Sequence, residues 1–317
     1  MTTAPITELS RAVGTPASTH AASAGRRIRA GTLTVHAVGA IALLEDRGRA
    51  GLAHLGLGHS GAADRASHDL ANRLVGNNVD GACIEATLGM LEVRVDKPIL
   101  IAVTGAAVEV RCDARLQAVN TSFWVPPNST VRLGRPAAGL RSYLAVRGGL
   151  RGVDVLGSVS WDSMAKLGTP PLKSGDVLQV ADAAAEPPAT DLAPVAMIGS
   201  DRLELPLILG PREDWFEDTA IARLAQHDFT VTSETDRVGA RLQGPELPRR
   251  RFGELPSEGV VLGALQVPTS GRPTLFLVDH PVTGGYPVIG CVPQPWVDKA
   301  SQAAPGQLLR FHPRRLD

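Results

Sequence analysis

The chain has few lysines, few cysteines and no long apolar run, and each shortage closes off a class of function. Only Cys83, Cys112 and Cys291 occur in 317 residues. They are odd in number, far apart and without metal-ligand spacing, so they read as buried thiols of a protein in a reducing cytoplasm. No apolar stretch reaches the ~18 residues of a membrane span. Residues 1–26, rich in Ala, Thr and Ser, lack the continuous apolar core of a targeting peptide and are expected to be a disordered lead-in. No Gly-Lys pair occurs anywhere, which excludes a P-loop. Acids and bases balance at 32 each, so the charge favours neither nucleic acid nor an anionic membrane. Only Lys97, Lys166, Lys173 and Lys299 are lysines; the other 28 bases are arginines. Genome base composition accounts for that total, while a few positions suit guanidinium recognition of carboxylate or phosphate.

What is present is mostly short β-branched runs punctuated by glycine and proline. Strands are predicted at Thr32–Val38, Ile84–Leu88, Ile99–Thr104, Val108–Cys112, Thr130–Leu133, Arg141–Val146, Val177–Val180, Phe229–Thr232, Val260–Leu262, Leu265–Val267, Leu275–Val278 and Leu308–Phe311. Such spacing argues for barrels or sandwiches rather than βαβ units. Three helices interrupt it. The clearest spans about Ala62–Val75, with Ala62, Ala66, Leu70 and Leu74 every fourth residue, Ser60 as N-cap and Gly76-Asn77 as stop. The others are Glu213–Gln226 and Pro295–Ala303. Ala181–Pro194, rich in Ala and Pro, reads as a linker between a half at 27–185 and a half at 195–317. The fold class is therefore mainly β, a β-rich α+β protein with a few short helices.

The most informative stretch is Thr274-Leu-Phe-Leu-Val-Asp279-His-Pro-Val-Thr283-Gly284-Gly285-Tyr286-Pro287, a buried strand that ends on an acid and runs into a glycine turn. It places Asp279, Thr283 and Tyr286 around backbone that can approach a ligand closely, or else it is a plain hairpin corner. Gly58-His59-Ser60-Gly61-Ala-Ala-Asp64 leads into the first helix, whose amides and dipole suit an oxyanion. Ser60 is more simply a cap than a nucleophile, since it lacks an adjacent base. Glu85 shares a strand face with Thr87, where burial would raise its pKa. Arg141, Tyr143, Ala145 and Arg147 share another face. Asp236-Arg237 and Arg241 beside Gly239 make a second candidate grip, and Gln266 lies just before the Asp279 strand. Ser163-Met-Ala-Lys166 does not match a biotin-attachment site, which needs Lys directly after Met, so no covalent biotin is expected. His54 and His59 lack the further ligands of a zinc site, and no metal site is expected.

Together with Leu44-Glu45-Asp46-Arg47-Gly48-Arg49, Ala71-Asn72-Arg-Leu-Val-Gly76-Asn77, Arg141–Gly149 and Asp236–Gly244, these blocks resemble the biotin-dependent carboxyltransferase-like family, also called allophanate hydrolase subunit 2. The resemblance runs from about Arg27 to Arg310. It implies two β-barrel-like halves, at least one cyclophilin-like, with a site in a cleft between them. Its prokaryotic members include the C-type subunit of the ATP-dependent 5-oxoprolinase, its relatives include urea carboxylase domains, and some members are named as antagonists of a kinase inhibitor. The expected function is thus a component of a complex that opens 5-oxoproline to glutamate with ATP, carrying Mg through the ATP. The alternatives are carboxyl transfer from carboxybiotin to urea or a related amide, and a regulatory binding protein that turns nothing over. A homologous subunit 1 of the B type and a lactam-utilisation protein of the A type are the expected partners, and the chain is expected to be inactive without them. Proton handling is expected of Asp279, Asp64 and Glu85. Substrate or phosphate contacts are expected of Arg237, Arg241, Arg147, Ser60, Gly61, Thr283, Gly284, Gly285, Tyr286 and Gln266. Two departures from the family pattern bear on substrate fit: Val282 replaces a common threonine, and Trp161 stands where a smaller residue is frequent.

Overall fold

The computed structural model describes residues 31–183, 187–253 and 255–315; the expected lead-in lies outside them. Two hydrophobic cores organise the chain. The first half contains β1 (Thr32–Ala37), β2 (Ile41–Glu45), α1 (Arg65–Leu74), β3 (Cys83–Thr87), β4 (Glu92–Val95) and β5 (Ile99–Ala107). It continues with β6 (Val110–Cys112), β7 (Arg115–Gln117), β8 (Thr121–Val125), β9 (Thr130–Leu133), β10 (Ala138–Val146) and β11 (Val177–Gln179). These form a six-stranded sheet, β11-β1-β4-β9-β6-β7, and a five-stranded one, β2-β3-β10-β5-β8. Leu33, Val35, Val93 and Val131 of the first sheet share one core with Ile84, Ile101, Leu144 and Val146 of the second. Strand alternation sends Tyr143 and Ala145 to the opposite face of β10, where they pack with Ala71, Leu74 and Val75 of the α1 region. The five-stranded sheet is thus covered on both faces, which explains its near-continuous burial.

The second half contains β12 (Leu203–Leu209), α2 (Asp218–Gln226), β13 (Phe229–Val231), β14 (Gly239–Gln243), β15 (Glu258–Gly259) and β16 (Ala264–Gln266). It ends with β17 (Thr274–Phe276), β18 (Thr283–Gly284), β19 (Val288–Cys291), α3 (Gln294–Ala300) and β20 (Leu308–Arg314). Seven strands close a barrel in the order β12-β19-β16-β17-β14-β13-β20, filled by Leu205, Leu207, Phe229, Leu275, Ile289 and Phe311. Its one parallel pair joins β12 to β20. The molecule is mainly β, as the strand spacing predicts, with one half a pair of sheets and the other a closed barrel. Residues 187–202 carry no regular element and run along β8, where Ser122 N donates to Asp191 O and Ala193 N to Asn120 O. Among the described residues no helix is long and apolar enough to cross a membrane.

Several local expectations need correction. The first helix starts at Arg65 rather than Ala62, and its N-cap is Asp64, whose carboxylate accepts from Ser67 N at 3.0 Å. Ser60 caps nothing. The buried face is also rotated from the Ala66–Leu70 stripe: Ala66 is exposed, while His68 and Asn72 are buried because both bond to Gly81 O. Glu213–Gln226 is broken, with a 3₁₀ turn at Glu213–Trp215 and extended backbone at Phe216 before α2. Val260 and Val261 carry no regular element and Leu262 opens a turn; the strand there is Glu258–Gly259. Cys291 is half-buried rather than buried.

Candidate functional site

The edges of the two halves meet around one buried arginine. Strand alternation sends Glu45 of β2, Glu85 of β3 and Arg141 of β10 to the α1 side of the five-stranded sheet. Across the seam, Arg237 precedes β14 and Asp279 follows β17. Arg237 donates through Nε and Nη2 to Asp279 at 2.9 and 3.2 Å, through Nη1 to Glu85 Oε1 at 2.5 Å, and through Nη2 to Gly61 O at 2.6 Å. Its Nη2 also lies 3.4 Å from Glu45 Oε1. Glu85 is completed by Tyr143 Oη at 2.8 Å, Ala63 N at 2.9 Å and Arg141 Nε at 3.5 Å. Asp279 is completed by Ser60 Oγ at 2.7 Å and Ser163 N at 3.2 Å.

Charge balance follows from these contacts. Burial pushes Glu85 up, but Arg237 and Arg141 outweigh it and hold its pKa below the usual carboxylate range. Burial likewise opposes ionisation of Asp279, and Arg237 again wins. Glu45 goes the other way: burial, together with Glu85 and Asp279, raises it well above the usual value despite Arg237. Among the described residues neither Glu45 oxygen meets the geometry of a hydrogen bond, and the nearby Ser160 hydroxyl only weakly opposes the shift. A neutral Glu45 leaves two guanidiniums against two carboxylates, the combination a low-dielectric seam tolerates. The raised pKa expected for Glu85 therefore belongs to Glu45. Held as ions by Arg237, Glu85 and Asp279 are weak proton acceptors.

The anion site expected at the helix start is already filled from within. Ala62 N donates to Asp46 O, Ala63 N to Glu85 and Asp64 N to Tyr143 Oη. Asp64 itself is buried, accepts from Ser67 and from Gln302 Nε2, and has its pKa raised by that burial. Gly61 sits at φ 91°, and a Cβ there would come within 2.7 Å of the Arg47–Gly48 backbone, so its glycine serves chain packing. The other nominated residues scatter. Arg241 points outward from β14, half-exposed, with Nε donating to Glu234 O. Arg147 donates to Val75 O at the far end of α1. Thr283 and Gly284 pair with Gly259 and Glu258 in the small β15–β18 ribbon. Gln266 Nε2 donates to Tyr286 O and faces Gly284, where a Cβ would be 2.7 Å from it. The Tyr286 ring lies against Arg249. Gly285 offers its carbonyl to Leu255 N.

An open cleft of about 260 Å³ adjoins the seam. The 49–65 segment contributes Arg49, Leu52, Leu57, Gly58, His59 and Arg65; the barrel contributes Val260, Leu262, Val278, His280 and Val282. His59 Nε2 lies 2.8 Å from Arg47 O, an acceptor, so Nε2 carries the proton. Arg65 Nη2 lies 3.2 Å from Nδ1 and 3.3 Å from Nε2, and with Nε2 protonated only Nδ1 is free to accept from it. By the same logic His280 Nδ1 donates to Pro281 O at 2.9 Å and leaves Nε2 as an acceptor. Burial lowers the pKa of both imidazoles, with Arg65 adding to the effect at His59, so both are neutral near pH 7. His280 and Arg49 stand inside the sequence blocks that carry the resemblance. Sequence reasoning misses them because an Asp and a Gly-Gly pair beside them give the stronger local signal. Among the described residues no group of three or more His, Cys, Asp or Glu is placed to hold a metal ion.

Two seam-joined β-rich units thus flank a largely apolar cleft with a few cationic and imidazole groups. Residues 55–313 match the family described as carboxyltransferase domain, subdomain A and B, and the chain belongs to that family. It is 34% identical over 289 residues to the C-type subunit of 5-oxoprolinase from Escherichia coli K12, covering 90% of this chain and 89% of that one. It is 29% identical over 273 residues to the same subunit of Haemophilus influenzae, covering 85% and 87%. Urea amidolyase of Lachancea kluyveri is 28% identical across 84% of this chain but only 16% of its own length. Among solved structures, Kluyveromyces lactis urea carboxylase superposes with a TM-score of 0.83 at 27% identity, over 90% of this chain and 28% of that one. The chain spans 57% of the TTHA0988 structure, at 34% identity and a TM-score of 0.81.

Proposed function

We infer that the chain is the C-type subunit of a 5-oxoprolinase complex that opens 5-oxoproline to glutamate at the expense of ATP. The observation that carries this reading is the reciprocal coverage with the E. coli subunit, 90% of one chain against 89% of the other. The urea amidolyase match, by contrast, covers a small fraction of a much longer protein. The chemistry asks for a group to hold the substrate carboxylate and a neutral acceptor near the lactam N–H. It also asks for a polar surround that favours charge on the lactam oxygen. A five-membered lactam is a poor electrophile, and phosphorylation of its oxygen would make the ring carbon attackable by water. The cleft supplies Arg49 and Arg65 as cations and His280 Nε2 as the acceptor. Partner subunits of the B and A types would complete the site, and the complex is read as a cytoplasmic hydrolase.

A second reading, transfer of a carboxyl group to urea or a related amide, is favoured by the superposition on urea carboxylase. The test is release of ADP and glutamate from 5-oxoproline and ATP by this chain co-purified with its neighbouring subunits, each omitted in turn. Turnover that requires this chain supports the lactam reading. A stable complex that ignores 5-oxoproline but consumes carboxybiotin with urea overturns it in favour of the second.

A further inference from the structure

We propose that the cleft between the 49–65 segment and the 278–282 turn is a carboxylate-binding site, gripped by Arg65, oriented by His59 and favoured by the buried charge of Arg49 behind its wall. This rests on reading the cleft as the substrate site, and it moves the anion grip away from Arg237 and Arg241. Arg237 is consumed: every guanidinium nitrogen already faces a carboxylate or the Gly61 carbonyl. Arg241 faces away from the seam. Arg49 differs from both. It is only 3% exposed, its Nε and Nη2 donate to the carbonyls of Val155, Ser158 and Ser160, and its Nη1 is buried without a hydrogen-bond partner. Among the described residues its hydrogen-bond acceptors are neutral carbonyls, and the residue itself lines the cleft, so its positive charge sits behind that wall. A carboxylate in the cleft would be held by that buried charge at longer range, without replacing any of its carbonyl contacts.

Arg65 supplies the grip from α1. Burial lowers its pKa from the ordinary value, with Asp298 and Asp69 opposing and Arg47 adding, yet a guanidinium stays charged in proteins. His59, locked as the Nε2–H tautomer, acts as a positioning residue for it and not as a proton carrier. The remaining walls are Leu52, Leu57, Val260, Leu262, Val278 and Val282, which fit a compact apolar body rather than a hydrated one. The volume lies just under the ~300–1,000 Å³ range of ligand pockets. It therefore suits a small ring bearing one carboxylate, not a nucleoside triphosphate. Val282, where the family often carries threonine, makes this wall more apolar. A dianionic phosphate would find only two cations and few further donors, so a monoanion is the better fit.

The experiment is calorimetric titration of the full chain with 5-oxoproline, with 2-pyrrolidinone, which keeps the ring but lacks the carboxylate, and with inorganic phosphate. Binding of 5-oxoproline at least tenfold tighter than of 2-pyrrolidinone or phosphate, and weakened tenfold or more in Arg65→Gln, supports the proposal. Arg49→Gln carries a risk of misfolding, so Arg65→Gln and His59→Phe provide the independent arms. In His59→Phe the discrimination between acid and lactam should shrink. Equal binding of 5-oxoproline and 2-pyrrolidinone, stronger binding of phosphate, or no binding of any of the three overturns it. Carboxylate binding by a chain whose assembled complex shows no lactam turnover would overturn the 5-oxoprolinase reading and leave the carboxylate site standing.

Discussion

Two charged regions lie side by side at the seam and differ in one respect, whether their charges are already spent. Around Arg237 every guanidinium nitrogen donates inside the chain, to Glu85, Asp279 or a backbone carbonyl. In the neighbouring cleft, Arg49 keeps an unpaired Nη1 and the imidazoles are neutral. The first region ties the sheet half to the barrel half; the second has donors left for a ligand. The most concentrated cluster of polar residues is therefore not the best candidate for chemistry. A residue can be essential at such a seam without touching substrate.

Breaking the sealed region should have the largest effect. Arg237→Met strands two buried carboxylates, and loss of one partner from a buried ion network costs about 3–5 kcal/mol. Denaturant unfolding should show that loss, and Arg237→Lys should not restore it, because an ammonium cannot reproduce the forked contacts. An unchanged unfolding free energy would mean that the seam does not depend on this pair. Loss of activity in such a variant would report unfolding of the seam, so it cannot place the active site by itself.

Asp298 of α3 gives the next effect, with the opposite sign. It faces Asp64, Arg65 and Gln294, and burial lifts its pKa from the ordinary 3.8 to about 6. A raised carboxyl stabilises the fold below pH 4, where it is protonated in both states. That contribution is lost as pH rises through 6, because folding then opposes its ionisation. Asp298→Asn should match wild type near pH 4 and exceed it above pH 7 by up to about 3 kcal/mol. Stability curves that stay parallel across this range would refute the shift.

Tyr143→Phe should cost less, about 1–3 kcal/mol, since it leaves both Glu85 Oε2 and Asp64 N short of a partner in a dry site. The expected readout is a lower unfolding midpoint with near-native activity per folded molecule. Arg241→Ala should be the smallest change, within about 0.5 kcal/mol and without effect on turnover, because its partner Glu234 is a solvated surface group. A tenfold activity loss there would return Arg241 to the site and blur the contrast between the two regions.

Much of this arrangement is legible in the chain. The strand spacing marks a β-rich protein, and the alternation in β3 and β10 puts Glu85 and Tyr143 on the face that meets α1. The five blocks point to the family, and two of their residues, Arg237 and Asp279, do converge with Glu85, which lies outside the blocks. The pairings themselves are hidden, because Ser60–Asp279 and Gln302–Asp64 link positions 219 and 238 residues apart. Local rules also favour the wrong cap: Ser60 and Asp64 are both good N-cap types, and only the path of the chain, with Ser60 at φ 55°, decides between them. Arg237 and Arg241 look equivalent in sequence. One precedes β14 and turns into the seam; the other lies on its outer face.

The most direct test of the contrast is kcat/KM for 5-oxoproline in the assembled complex carrying Arg65→Gln, with its unfolding midpoint measured alongside. A loss of tenfold or more at an unchanged midpoint is the predicted result. Wild-type kcat/KM in that variant would contradict the assignment of the open cleft as the working region.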